Sequence, residues 1–96
     1  MAHTGKPIFN EALRMRVKRI AGQVEAIDKA LAGHAACADL LHQVAGVRGA
    51  VNGLMDEIFE AHLREHVARP GLSDAERAEA ADELVAVIRR YAKSGR

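Results

Sequence analysis

Three runs of apolar residues at helical spacing, no stretch alternating as a strand would, and only three aromatics in 96 residues predict an all-α protein. The expected architecture is a three-helix protomer with a long central helix, forming one domain over residues 1–96. A chain of this size, folded alone, buries only about 65% of its unfolded surface. Phe9, Phe59 and Tyr91 are the aromatics and 19 residues are Ala. Such a core is thin, so other copies of the chain are expected to complete it.

The first helix is carried by Leu13, Val17, Ile20, Val24, Ile27 and Leu31, an unbroken 4-3 spacing that packs along its length on another helix. Asn10 is the expected N-cap and Gly33 the stop. The second helix is expected from about Ala35 to Ala68, ended by Pro70-Gly71. Leu40, Val44, Val47, Val51, Leu54 and Ile58 repeat the spacing, and Leu41, Met55 and Phe59 widen the stripe. At about 50 Å it is too long for a compact monomer. Gly46, Gly49 and Gly53 interrupt it, marking either a kink or a small-residue face for close helix packing. Ser73-Asp-Ala-Glu76 is a capping box opening the third helix, whose apolar face is Leu84, Val87, Ile88 and Tyr91.

The net charge of +1 is a cancellation. Lys6, Arg14, Arg16, Lys18 and Arg19 face only Glu11 in the first 22 residues, and Arg89, Arg90, Lys93 and Arg96 close the chain. Nine acids against three arginines fill positions 52–83. The basic ends are either solvated helix surface or, on a common face, a patch for phosphate. No apolar run approaches the roughly 18 residues of a membrane span, and no signal-peptide core is present. A single Cys fits a reducing compartment, so a cytoplasmic protein without a membrane partner is expected.

The chemistry lies in one Cys and five His. His62-Leu-Arg-Glu-His66 matches the H-x-x-E-H pattern of zinc peptidases, but too little chain follows for a cleft and a distant ligand. A Cys–His nucleophile is equally unsupported, with no orienting group or oxyanion loop. The chain does not read as an enzyme. The pair His62 and His66 is either surface decoration or a metal half-site. On a regular helix Cys37, His62 and His66 fall within about 20° of one face, yet Cys37 and His62 are about 37 Å apart along it. Two antiparallel copies with a two-fold near residue 50 would bring Cys37 of one to His62 and His66 of the other. If the first two helices form a hairpin, positions summing to about 68 are neighbours, which puts His3 opposite Glu65. Glu65 is then a further ligand or a hydrogen-bond partner of one. His34 and His42 read as surface residues.

Arg14-Met-Arg16-Val-Lys18-Arg19-Ile-Ala-Gly22-Gln23-Val, Cys37, the block Leu41 to Met55 and His62-Leu-Arg-Glu-His66 together closely resemble the CsoR/RcnR family of bacterial metal- and formaldehyde-responsive repressors. The likeness covers nearly the whole chain. It implies an antiparallel dimer core, a flat dimer-of-dimers tetramer, and binding to double-stranded operator DNA that ligand relieves, derepressing an efflux or detoxification gene. By resemblance, Arg14, Arg16, Lys18, Arg19 and Gln23, with the C-terminal basic cluster, contact DNA. His66 stands where the copper-responsive branch has a second Cys, and Ala2 where the formaldehyde-responsive branch commonly has Pro. His3, Cys37, His62 and His66, with Glu65 added, map onto the nickel/cobalt branch, and one thiolate among imidazoles suits Ni(II) or Co(II), with Zn(II) a competitor. The alternative is a formaldehyde-responsive repressor using Cys37 as nucleophile. Ala21, where relatives often carry Arg or Gln, departs from the pattern.

Overall fold

The computed structural model describes residues 10–91. They form α1 (Glu11–Ala32), α2 (Cys37–His62), a π turn (Leu63–Val67) and α3 (Asp74–Tyr91), with no strand among the described residues. Two compact units result, Asn10–Met55 and, from residue 56 onward, a second.

Asn10 caps α1 as its sequence position predicts. It has extended backbone, and its side-chain oxygen accepts from the Ala12 and Leu13 amides at 2.8 and 3.3 Å. At the other end the expected stop shifts by one residue. Gly33 has an ordinary φ of −90°, and the left-handed position falls on His34 at φ 63°. The His34 amide donates to Leu31 O at 3.2 Å and the Ala35 amide to Ala30 O at 3.0 Å. This crossed pair is the Schellman arrangement, which normally recruits glycine at the position His34 holds. His34→Gly is therefore expected to stabilise the protein by up to about 1 kcal/mol, read as a raised Tm. An unchanged or lower Tm would contradict that reading of the turn.

Within Asn10–Met55, α1 and α2 form an antiparallel hairpin across residues 33–36. Its register is visible where Arg16 Nη1 lies 3.1 Å from the place a Cβ on Gly53 would occupy. Gln23 and Ala26 also share a cavity with His42, Gln43 and Gly46. Neighbours thus sum close to 68, as expected. The 4-3 stripes, however, divide in two. Leu13, Ile20 and Ile27 on α1 and Leu40 and Val47 on α2 are half-buried, while Val17, Val24, Leu31, Val44 and Val51 are exposed. Hairpin packing uses only half of each seam. Of the small-residue face formed by Gly46, Ala50 and Gly53, Gly53 meets Arg16, while Gly46 has nothing within 4 Å of where a Cβ would sit.

Both ends of α2 depart from expectation. α2 starts at Cys37 rather than Ala35, and its last turn, expected as α-helix to Ala68, is a π turn. The Ala68 amide donates to Leu63 O at 2.8 Å, closing a wider ring than the α-helix allows. α3 opens with the predicted capping box: the Ser73 amide donates to Glu76 Oε1 at 2.8 Å and the Glu76 amide to Ser73 Oγ at 3.0 Å. α3 packs on the π turn. Its buried residues are Ala80 and Leu84, one turn apart, whereas Val87, Ile88 and Tyr91 of the expected face remain exposed. Among the described residues these two are the only buried apolar side chains, and no side chain is both large and fully buried.

Candidate functional site

The end of α2 and the π turn place the two histidines. His62 is the last residue of α2 and His66 lies inside the turn. Their ring centroids are 4.8 Å apart with planes inclined at 55°. His66 is 6% exposed and is the one buried polar residue among those described. His62 is half-buried, and its Nε2 is buried without a hydrogen-bond partner. A buried ring nitrogen left unsatisfied calls for an explanation, and a second imidazole beside it fits two donors for one soft or borderline cation. Glu65, between them in sequence, is exposed, and Arg64 pairs with Glu60 at 3.8 Å on the open surface.

Cys37 is an exposed free thiol at the first residue of α2. Among the described residues no three or more His, Cys, Asp or Glu side chains gather so as to hold a metal. Among the described residues, His62 and His66 stand together without a third such side chain beside them. His3 lies outside the described residues, as do Lys6, Lys93 and Arg96.

The candidate DNA contacts separate into two groups. Arg14, Lys18 and Arg19 are exposed on α1 and carry no ion pair among the described residues. Arg16 and Gln23 are half-buried in the hairpin. The Arg16 guanidinium lies close against Gly53, so a side chain at position 53 would require it to give by a few tenths of an ångström. Gln23 Oε1 and Gln43 Oε1 are both buried without partners, beside a cavity of about 260 Å³ that His42 also lines. At the far end, Arg89 and Arg90 are exposed, with the Arg90 guanidinium 5.6 Å from the Tyr91 ring centroid.

One residue that sequence reasoning passed over belongs to the site. Arg77 donates through Nε to Val67 O at 2.8 Å and through Nη2 to Arg69 O at 3.0 Å, tying α3 to the end of the π turn. Nothing local in the sequence marks it, because its partners lie eight and ten positions back along the chain.

Comparison with known proteins agrees on the kind of molecule. The family described as "Metal-sensitive transcriptional repressor" matches residues 10–90. A transcriptional repressor RcnR from Salmonella arizonae is 41% identical over 93 residues, 97% of this chain and all of the relative. An uncharacterized protein from the bioA 5′ region of Serratia marcescens is 42% identical over the same length, with the same coverage of both chains. Among solved structures, a variant of the Formaldehyde-Responsive Regulator FrmR from Salmonella enterica serovar Typhimurium superposes with a TM-score of 0.77 at 41% identity. That match covers 84% of this chain and 91% of the other.

Proposed function

The chain belongs to the family of metal-sensitive transcriptional repressors, a family of DNA-binding regulators and not enzymes, and on that premise we propose that it is a nickel- or cobalt-responsive repressor. Metal-free, it holds double-stranded operator DNA in the cytoplasm; bound to Ni(II) or Co(II), it lets go, and a metal-efflux gene is expressed. Zn(II) competes for the same donors. The observation that carries the reading is the pair His62 and His66, 4.8 Å apart with an unsatisfied nitrogen on His62. Metal bound there supplies a charge that ties together groups otherwise held apart.

Two imidazoles are an incomplete set for such ions. Cys37 from a second copy, His3 from the N-terminal segment and Glu65 complete it in this proposal. The exposed half-seam of Val17, Val24, Leu31, Val44 and Val51 supports association between copies, because so continuous an apolar stripe on a small soluble chain is the usual mark of an interface. The proposed assembly is an antiparallel dimer and a dimer-of-dimers tetramer, with residues 1–96 acting as one sensing and DNA-binding domain. Equilibrium dialysis of metal-free protein against Ni(II) tests the metal reading. One ion per chain is expected, lost when His62 and His66 are both alanine; equal uptake by that variant and the parent overturns it.

Arg14, Lys18 and Arg19 supply the phosphate contacts, with Arg16, Gln23 and the C-terminal bases assisting. No helix-turn-helix is evident among the described residues, and backbone contact and DNA shape bring much of the specificity in this proposal. Lys18→Ala is expected to weaken binding to operator and to unrelated DNA alike. The dependence of log affinity on log salt should become shallower by about 0.9 for each phosphate the protein no longer neutralises. An unchanged slope would remove Lys18 from the interface.

The formaldehyde reading rests on the likeness to FrmR and on the exposed thiol of Cys37. There the sulfur would add to the aldehyde carbon while the carbonyl oxygen takes up a proton, leaving an S-hydroxymethyl group. Retention of DNA by the metal-bound protein but release by formaldehyde would favour it.

A further inference from the structure

The π turn is the least expected element of the chain, and three observations meet in it. First, five residues, Leu63–Val67, leave the α-helical ladder, with Ala68 N–H bonded back to Leu63 O at 2.8 Å. Such turns are rare and concentrate at functional positions. Second, Arg77 on α3 donates to two carbonyls at the end of that turn and just beyond it, Val67 O at 2.8 Å and Arg69 O at 3.0 Å. Helix ends leave carbonyls of this kind unsatisfied, and a guanidinium fork is well shaped to take two of them. Third, the histidine inside the turn is buried, and the histidine just before it has Nε2 buried and unpartnered.

A nitrogen with no accessible surface takes no ligand, so donation through His62 Nε2 requires the structure to open around it. The covered nitrogen is also costly where it is, since a buried group without a partner loses its hydration and gains nothing. Only a setting held by other interactions keeps it there, and the hydrogen bonds of Arg77 are among those at the turn.

We propose that the π turn is the closed setting of a latch on the His62–His66 pair and that Arg77 is the positioning residue that holds it closed. This deepens the metal reading above and rests on it. Opening the turn uncovers His62 Nε2; the closed setting lowers the apparent affinity for metal by the fraction of time the turn is open. The same opening frees the Val67 and Arg69 carbonyls from α3, the helix that carries Arg89 and Arg90. The latch thus links the histidine pair to a basic segment through the turn and α3.

The sign of the expected effect separates a latch from a structural brace. Loss of a brace weakens metal binding, whereas loss of a latch tightens it. Arg77→Gln is expected to tighten Ni(II) binding about tenfold, the effect of losing charge-assisted hydrogen bonds that favour the closed setting. Arg77→Lys, reaching one carbonyl with a single ammonium, is expected to give a smaller shift of the same sign. It carries the test if the glutamine variant does not fold. Hydrogen exchange supplies the second readout. In metal-free protein the Ala68 amide exchanges faster in Arg77→Gln than in the parent, and Ni(II) raises the exchange of the same amide in the parent. Equal or weaker metal binding by both variants overturns the latch, as does metal uptake with no change in exchange over residues 63–69. If the parent binds no Ni(II), the metal reading fails with the latch. Faster Ala68 exchange in metal-free Arg77→Gln would then show only that Arg77 holds the turn.

Discussion

Alanine at position 66 abolishes the metal response and leaves metal-free DNA binding intact. His66 is one of two imidazoles that a single chain brings together, so its loss leaves His62 without its neighbour and removes a donor outright. Ligand loss should exceed the tenfold to hundredfold typical of disturbing a group that merely supports a ligand, so a fall of at least about 100-fold in Ni(II) affinity is expected. The side chain is buried, and its truncation costs about 1–3 kcal/mol of stability. A domain stable by about 5–15 kcal/mol stays folded after such a loss. DNA binding without metal is the internal control, because the proposed contacts lie on α1, away from His66 in sequence, and require folded protein. Dialysis and anisotropy on one preparation give both quantities. A variant that binds DNA and still releases it at the parental metal concentration would show that His66 is not a ligand.

The second large effect is expected from Cys37→Ser. The residue is exposed at the first position of α2, so the substitution changes stability by less than about 0.5 kcal/mol. Any loss of response is then chemical. In the metal reading the Co(II) complex of the parent shows intense near-ultraviolet absorption from thiolate ligation, and the serine variant loses it while keeping weaker bands from the imidazoles. Metal affinity falls, since an alcohol is a poor ligand for these ions. Because the proposed site takes its thiolate from a second copy, the absorption also reports on assembly: diluting the protein below its dissociation constant should bleach it. Identical spectra with and without Cys37 would remove the thiol from the site.

What was legible in the sequence follows the range of the interactions involved. Asn10 and the Ser73–Glu76 box are satisfied within three residues, and both caps form as read. The hairpin register follows from one short turn and two helical stripes, and Arg16 beside Gly53 bears it out. The helix stop was nearly legible: Gly33 attracts attention, yet the Schellman bonds put His34 in the left-handed position. The division of each stripe was not readable. Val17 and Ile20 belong to the same 4-3 pattern, and only the angle at which α2 crosses α1 decides which is covered. The π turn was beyond reach for the same reason, since its hold comes from Arg77 in the next helix. It also alters the site, because the regular helix assumed for the angle between Cys37 and His66 is not maintained to its end. The histidine pair itself was legible as a spacing. That His62 Nε2 is buried and unsatisfied was not.

The central claim is that metal, bound through the histidine pair, releases this protein from DNA. It is tested most directly by fluorescence anisotropy of a labelled operator fragment with the metal-free protein bound, titrated in parallel with Ni(II), Co(II), Zn(II) and formaldehyde. A coupling of about 1–3 kcal/mol is expected, so Ni(II) or Co(II) should weaken DNA binding about 5- to 150-fold. Release by formaldehyde with none of the three metals would contradict the claim.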